Sequence, residues 1–225
     1  KVFSREGEKI IMSEWEKTLQ NKILPGIGIA NFALPKQHFE WIKKAVIKAK
    51  KDNIGNQDKL IGHIKEEYII KEIVPEVESF LIQSIAHPWF EKYLKGFDVL
   101  SEGRPWYLDS LWVNYQKKHE FNPLHDHSGV FSFIIFINIP YDLKEEDKYF
   151  SGLNCEDREQ QIHTSRLAFV NNRANGGLES TLINVDKSFE GKMFMFPARQ
   201  AHIVYPFYTS DGYRITVSGN MKLKV

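Results

Sequence analysis

The segment NPLHDHSGVFSFIIFINIP, residues 122–140, is the most informative part of the sequence, because two histidines stand directly before a long apolar strand pattern. Side chains two residues apart on a strand share a face, so His125 and His127 can point together into a barrel while Asp126 faces away. The pair forms a two-point metal clamp, and the alternative is a pair of surface or core histidines. Imidazole suits iron, zinc, copper and nickel about equally, so the pair alone does not select the metal.

On both sides of this stretch, short runs rich in Val, Ile, Phe, Tyr and Trp are separated by clusters of Gly, Pro, Asn and Asp. The pattern predicts strands over residues 106–116, 131–139, 166–171, 180–185, 192–196, 202–207 and 213–221. Strands at this spacing indicate a sandwich or barrel. The polar stretch 141–165 is too long for a simple turn, and it is either a lid or binding loop or a solvated insertion.

The first hundred residues carry mainly helical patterns. Apolar residues at helical spacing predict an amphipathic helix from Pro35 to Lys50, and Pro75 is well placed to begin a helix that ends near Pro88. The segment HIKEEYIIKEIV, residues 63–74, is ambiguous between helix and strand, and we predict a helix. We therefore expect one domain over residues 1–225, with a helical support in 1–100 and a mainly β core in 101–225.

Composition excludes several classes of protein. Thirty basic and twenty-nine acidic residues leave a formal charge of +1, which provides no field to recruit nucleic acid or an anionic membrane. No apolar run is long enough for a membrane span, and the first residues lack the apolar core of a secretory signal. The single cysteine, Cys155, has no partner for an intramolecular disulfide, which suits a reducing compartment. We therefore expect a cytoplasmic protein, and the sequence leaves its oligomeric state open.

Two further features follow the histidine pair. In GKMFMFPARQAHIVYP, residues 191–206, a glycine turn leads into an apolar strand, a proline ends it, and His202 follows on the return. In YRITVSGN, residues 213–220, Arg214 begins an otherwise apolar strand. A buried guanidinium needs an anion, and a small dicarboxylate would satisfy its planar fork. Taken singly, His202 is more often a satisfied core histidine and Arg214 more often pairs with a neighbouring Asp or Glu.

Together, these features resemble the 2-oxoglutarate- and Fe(II)-dependent oxygenase superfamily, and especially its prolyl-4-hydroxylase-like and bacteriophage or marine-bacterial members. The resemblance covers roughly residues 106–221 and also touches LIGHIKEEY, residues 60–68. The motifs that carry it are the WxN strand at Trp112-Val113-Asn114, the His125-Asp126-His127 motif, the segment from Gly191 to His202, and the strand Arg214-Ile215-Thr216.

The resemblance implies a double-stranded β-helix that uses Fe(II), 2-oxoglutarate and O2 to hydroxylate a small-molecule or peptidyl substrate. It implies that His125, His127 and His202 surround the metal. It also implies that Arg214 pairs with the distal carboxylate of 2-oxoglutarate, with Thr216 adding a hydrogen bond. Tyr115, ten residues before His125, is a further candidate for the co-substrate site.

One position departs from the usual motif of the superfamily. Most members have His-x-Asp or His-x-Glu, whereas this sequence has His127. A third neutral imidazole leaves a ferrous site one negative charge short, which weakens electrostatic retention of Fe(II). Asp126 cannot easily replace it unless a bulge re-aims its side chain, because adjacent strand residues face opposite ways. A frame that begins at His127 and continues with Ser-Gly would leave a position open for a halide.

Two other interpretations stay open. A cupin shares the barrel and also uses HxH followed by a distant histidine after GxxxxxP, but it gives Arg214 no role and expects a glutamate after the histidine pair. The other interpretation is a metal-free jelly-roll module for binding or structure, in which the histidines are incidental.

Overall fold

The computed structural model describes residues 28–55, 62–86, 91, 94–96, 103–149, 163–173 and 175–224. The described elements confirm a mainly β fold with helices toward the N-terminus. In chain order they are β1 (Ala30–Ala33), α1 (Lys36–Asp52), β2 (Glu66–Ile69), α2 (Pro75–Ala86), β3 (Trp106–Gln116), β4 (Asn122–His125), β5 (Phe131–Asn138), α3 (Leu143–Tyr149), β6 (Leu167–Asn172), β7 (Leu178–Ile183), β8 (Lys192–Pro197), β9 (His202–Val204) and β10 (Arg214–Leu223). None of the described helices combines the length and the hydropathy that a membrane span requires.

Two antiparallel sheets form the double-stranded β-helix. The larger sheet has the strand order β1-β8-β5-β10-β3-β2, and the smaller sheet has the order β4-β9-β6-β7. Strand β10 lies inside the larger sheet, where β3 pairs along one edge and β5 along the other. Since the neighbours of β10 come from distant parts of the sequence, this strand ties the barrel together.

Strand alternation divides the larger sheet between two cores. On β5, Phe133 and Ile135 face the helices and pack in the core that contains Val46 of α1. The intervening Ile134 and Phe136 belong to a second core between the sheets, which includes Phe169 of β6. Because successive side chains point to opposite faces, one apolar strand can serve both cores.

The same alternation makes the inner face polar on β3 and β10. Leu111, Val113 and Tyr115 of β3 belong to the core under the helices, whereas Asn114 and Gln116 are buried polar residues of the other face. The inner face of β10 is likewise polar, with buried Arg214, Thr216, Ser218 and Asn220. Polar side chains on this face do not pack into an apolar core, because burial without hydrogen-bond partners is unfavourable, and this part of the barrel interior is a cavity.

The helix predicted for residues 63–74 is wrong. Residues 66–69 form β2, an edge strand in which Tyr68 pairs with Val113 of β3. The local pattern was ambiguous, and pairing with β3 decided the outcome because it satisfies the backbone of a segment too short to form a stable helix alone. Strands β1 and β4 were not predicted; each spans four residues.

The polar stretch 141–165 begins with an anchored helix. The buried carboxylate of Glu146 in α3 accepts hydrogen bonds from the backbone N–H groups of Tyr208, at 3.0 Å, and Thr209, at 2.7 Å. The first part of the stretch is therefore fixed to the barrel and is not a free lid. Residues 150–162, with Cys155, lie outside the described residues, as do residues 1–27.

Candidate metal centre and co-substrate pocket

Two short strands of the smaller sheet position three histidines. His125 ends β4 and His202 begins β9, and the two are direct partners across the antiparallel ladder. His127 lies two residues beyond β4, where its backbone N–H donates to the carbonyl of Ala198 at 2.8 Å. This tie to the turn between β8 and β9 holds the third imidazole beside the other two.

The three imidazole rings converge. Ring centroids lie 4.2 Å apart for His125 and His202, 4.9 Å for His125 and His127, and 5.0 Å for His127 and His202. One nitrogen of each ring lies within 4.8 Å of the others, and within the described part of the chain these three side chains form the group able to hold a metal. Asp126 faces away as expected, with its carboxylate 3.3 Å from a guanidinium nitrogen of Arg199.

Backbone carbonyls fix the orientation of two of the rings. His125 Nδ1 lies 2.6 Å from the carbonyl oxygen of Pro123, and His202 Nδ1 lies 2.9 Å from that of Gln200. A carbonyl can only accept, so each Nδ1 carries the proton and each Nε2 presents a lone pair. Such a hydrogen bond is the usual support of a metal-binding histidine, because it sets the tautomer and the ring direction.

Burial keeps the three rings neutral. The pKa of His202 is lowered to about 3 and that of His127 to about 4. Desolvation is the larger cause of both shifts, and the neighbouring imidazoles are the smaller one. Burial also lowers the pKa of His125. Protonated imidazole cannot bind a metal, so rings that stay neutral at pH 7 are ready donors. Three converging neutral nitrogens fit iron, zinc, copper or nickel, and they leave further metal positions for other ligands.

The histidines open onto a cavity of about 380 Å³ between the two sheets. Its wall is aromatic and aliphatic near the metal centre and polar along β3 and β10. The lining includes Trp112, Ile134, Phe136, Leu167 and Phe196 on the apolar side, and Glu67, Asn114, Gln116, Asn122, Arg214, Thr216, Ser218 and Asn220 on the polar side.

Arg214 is a buried cation without an acidic partner. Its side chain is 2 % exposed, and no Asp or Glu in the described residues forms an ion pair with it. All of its hydrogen-bond partners are neutral oxygens: those of Gln116 and Tyr141, and the carbonyls of Ser165 and Tyr205. Within the described ranges, the salt bridge that would ordinarily explain this arginine is therefore missing, and no acidic side chain there compensates its positive charge.

Gln116 accepts the two hydrogen bonds from Arg214 that we predicted for a carboxylate of 2-oxoglutarate. Its Oε1 accepts from Arg214 Nε at 2.9 Å and from Nη2 at 2.6 Å. An amide oxygen that takes two parallel N–H groups mimics one oxygen of a carboxylate. The arginine is thus held in a geometry that suits an anion, while its charge remains unpaired.

The structure brings Thr216 to this site and leaves Tyr115 out of it. Thr216 lines the cavity two residues after Arg214, and its hydroxyl accepts from Asn114 Nδ2 at 3.4 Å. Tyr115 points to the opposite face of the sheet, where its hydroxyl donates to the carbonyl of Val46 at 3.3 Å. The prediction for Tyr115 relied on spacing along the chain, and strand alternation turns this side chain toward α1.

Sequence reasoning missed the polar neighbours of Tyr115. Asn114 and Gln116 flank it on β3, and their polarity at alternate positions of a predicted strand was a readable sign of a polar interior face. Glu67 and Asn122 were missed for a different reason. Glu67 lay in the segment predicted as a helix, and Asn122 begins β4, a strand that the pattern did not predict.

Comparisons with known proteins agree with this geometry. Residues 110–220 match the family described as "Putative 2OG-Fe(II) oxygenase". This region contains the three histidines, Arg214 and Thr216. No curated protein matches the chain in sequence.

Solved structures share the fold at low sequence identity. A prolyl-4-hydroxylase from Pseudomonas putida is 12% identical with a TM-score of 0.51, over 90% of this chain and 96% of that one. A prolyl hydroxylase from Trichoplax adhaerens, in complex with a peptide fragment of hypoxia inducible factor, is 10% identical with a TM-score of 0.53, over 97% and 92%. The non-heme α-ketoglutarate-dependent carbocyclase SnoK from nogalamycin biosynthesis is 13% identical with a TM-score of 0.51, over 90% and 84%.

Proposed function

Because this chain belongs to the 2-oxoglutarate- and Fe(II)-dependent oxygenases, we propose that His125, His127 and His202 hold its iron and that Arg214, with Thr216, holds the distal carboxylate of 2-oxoglutarate. The observation that carries the proposal is the convergence of three neutral imidazoles and an unpaired buried arginine on one cavity. When bound, Fe(II) and 2-oxoglutarate supply the oxidation, in which O2 is reduced, 2-oxoglutarate gives succinate and CO2, and a substrate C–H bond is hydroxylated.

The residues of the chain supply binding, orientation and exclusion of water. The carbonyls of Pro123 and Gln200 hold His125 and His202 with Nε2 facing the metal position. Three neutral ligands would leave the full charge of a divalent ion in place. The electrostatic attraction between the ion and an anionic co-substrate would then be stronger than at a site with a carboxylate ligand. The apolar part of the cavity wall would limit the access of water to the metal position.

Arg214 positions the far end of the co-substrate. Its Nη1 and Nη2 groups donate to backbone carbonyls of Ser165 and Tyr205, which fixes the plane of the guanidinium. Gln116 Oε1 holds the fork, and we infer that the distal carboxylate of 2-oxoglutarate displaces it. Exchange of an amide oxygen for a carboxylate pairs the buried charge, which favours the bound state.

A small-molecule or peptidyl substrate suits the site. The cavity of about 380 Å³ is of the size that takes a small molecule or a single side chain. The Trichoplax protein is in complex with a peptide, and SnoK is a carbocyclase from nogalamycin biosynthesis, so the fold accommodates peptidyl and small-molecule substrates. The formal charge of +1 supplies no reason to propose a nucleic-acid substrate.

Thermal unfolding with Mn(II) in place of Fe(II) tests the proposal without turnover. We expect Mn(II) and 2-oxoglutarate together to raise the melting temperature more than either alone, and Arg214→Ala to abolish the contribution of 2-oxoglutarate. Lys192→Ala, which changes a cation outside the cavity lining, is the matched control. Stabilisation by metal alone with no effect of 2-oxoglutarate would favour the cupin interpretation, and no stabilisation by either would favour the metal-free module.

A further inference from the structure

Three buried oxygens in one wall of the cavity have no hydrogen-bond partner among the residues that the structure describes. They are Glu67 Oε2, Asn114 Oδ1 and Asn122 Oδ1, and all three residues line the cavity. Glu67 of β2 and Asn114 of β3 are direct partners across the ladder, so their side chains share the inner face. Buried acceptors are normally paired, and several in one wall indicate a ligand that brings donors to them.

Gly62 completes this wall. A Cβ at position 62 would lie 2.2 Å from Asn122 Oδ1 and 3.4 Å from Glu67 Oε1, so both side chains pack directly against the backbone of Gly62. The next residue ties this segment to the start of β4, because the backbone N–H of His63 donates to the carbonyl of Phe121 at 2.8 Å. The three oxygens are therefore held on three strands, β2, β3 and β4, beside a segment that is tied to the start of β4.

Glu67 gives this wall its charge. Its side chain is 1 % exposed, and it forms no ion pair with any Lys, Arg or His of the described residues. Desolvation, with a smaller effect of the carboxylate of Glu120, raises the pKa of Glu67 to about 7. A bound cation would stabilise the ionised form of this buried carboxylate, and the described residues of the wall supply no positive charge.

Glu67 and Arg214 lie on strands that are not direct neighbours in the larger sheet. Strands β10, β3 and β2 are successive neighbours in the sheet. Strand β2, which carries Glu67, is therefore two strand spacings, roughly 10 Å, from strand β10, which begins with Arg214. Asn114 lies between them, and Trp112 on the same face of β3 leads toward the metal centre, with its ring 5.7 Å from that of His127. An anionic co-substrate at Arg214 and a cationic group at Glu67 can therefore occupy the cavity together.

We propose that Glu67, Asn114 and Asn122 form an amine subsite that binds the primary ammonium group of the substrate. A primary ammonium offers three N–H donors, which matches the three orphaned oxygens, and its charge matches the carboxylate. A water molecule offers two donors and no charge. The inference rests on the proposed function only in treating the bound amine as the substrate of the oxygenase.

A pair of probes of equal length separates charge from size. Pentylamine, protonated at neutral pH, and 1-pentanol are titrated by calorimetry into protein loaded with Mn(II) and 2-oxoglutarate at about pH 8. We expect the amine to bind about tenfold or more tightly than the alcohol, because only the amine neutralises Glu67. Glu67→Gln should bring the ratio of the two affinities close to one while keeping the shape of the side chain.

Two further variants make the test decisive. Glu72→Gln changes an exposed glutamate near the same strand and should keep the preference for the amine. Asn122→Ala removes one acceptor and should weaken the amine several-fold without affecting the alcohol, which covers the case in which Glu67→Gln does not fold. Equal affinities in the wild type, or a preference unchanged in Glu67→Gln and Asn122→Ala, would overturn the proposal and leave the wall to water.

The two proposals fail separately. If Mn(II) and 2-oxoglutarate bind but the amine shows no advantage over the alcohol, the amine subsite is wrong and the oxygenase site stands. If the amine is preferred but 2-oxoglutarate does not bind, the subsite stands and the assignment of Arg214 fails.

Discussion

Replacement of Glu67 by glutamine should stabilise the protein at alkaline pH and have little effect at acid pH. Burial raises the pKa of this carboxyl from 4.5 to about 7 in the folded chain. The folded state therefore holds the proton more tightly than the unfolded state, and folding stability falls as pH rises between these two values. At about 1.4 kcal/mol for each pKa unit, the loss reaches about 3 kcal/mol above pH 7.

The stability difference between Glu67→Gln and the wild type should increase with pH. About 1 kcal/mol of the loss is already present at pH 5, so roughly 2 kcal/mol should separate the wild type at pH 8 from the wild type at pH 5 through this group alone. Glutamine does not titrate, so the advantage of Glu67→Gln should grow by that amount over the same interval. Urea unfolding of wild type, Glu67→Gln and the exposed control Glu72→Gln at the two pH values measures it. If the stability difference between Glu67→Gln and the wild type is the same at both pH values, the pKa of Glu67 is not raised in the folded protein.

Three further predictions concern the metal and co-substrate. His127→Asp should tighten Mn(II) binding by about tenfold, because a carboxylate supplies the negative charge that three imidazoles lack; weaker binding, measured by titration, would show that charge does not limit this site. Arg214→Lys should weaken 2-oxoglutarate binding roughly 10- to 100-fold in calorimetry, since a point charge cannot replace the planar fork; an unchanged affinity would exclude Arg214 from the site. Tyr115→Phe should leave that affinity within about twofold of wild type, because the hydroxyl contacts Val46 on the far side of the sheet; a large loss would return Tyr115 to the co-substrate site.

Long, regular patterns allowed much of the fold to be predicted. Strand β3 was predicted with the bounds that the structure gives it, Trp106–Gln116, because eleven residues rich in aromatic side chains leave little ambiguity. The histidines and Arg214 were predicted to share a cavity because motif order in a known superfamily carries information about spatial proximity. That information lies in the motifs, and composition alone would have left the barrel without a site.

The rest depended on tertiary contacts that a single sequence does not display. Residues 66–69 became β2 because the edge of β3 was free to pair with them, and only this pairing turns Glu67 into the cavity. Likewise, Tyr115 was placed at the site by its distance along the chain from His125, although the inside face of β3 belongs to Asn114 and Gln116. In both cases, the side of the strand on which a residue lies determines whether its side chain reaches the cavity. Adjacent residues lie on opposite sides, so an error of one residue reverses the prediction.

A crystal structure of the protein with Mn(II) and 2-oxoglutarate would show whether the three histidines and Arg214 bind the metal and the co-substrate. We predict a metal bound by His125, His127 and His202 through Nε2, a 2-oxo acid chelated to the same metal, and a distal carboxylate that has replaced Gln116 at the fork of Arg214. A metal bound through Asp126, or a 2-oxoglutarate that leaves the bond between Gln116 and Arg214 intact, would contradict it.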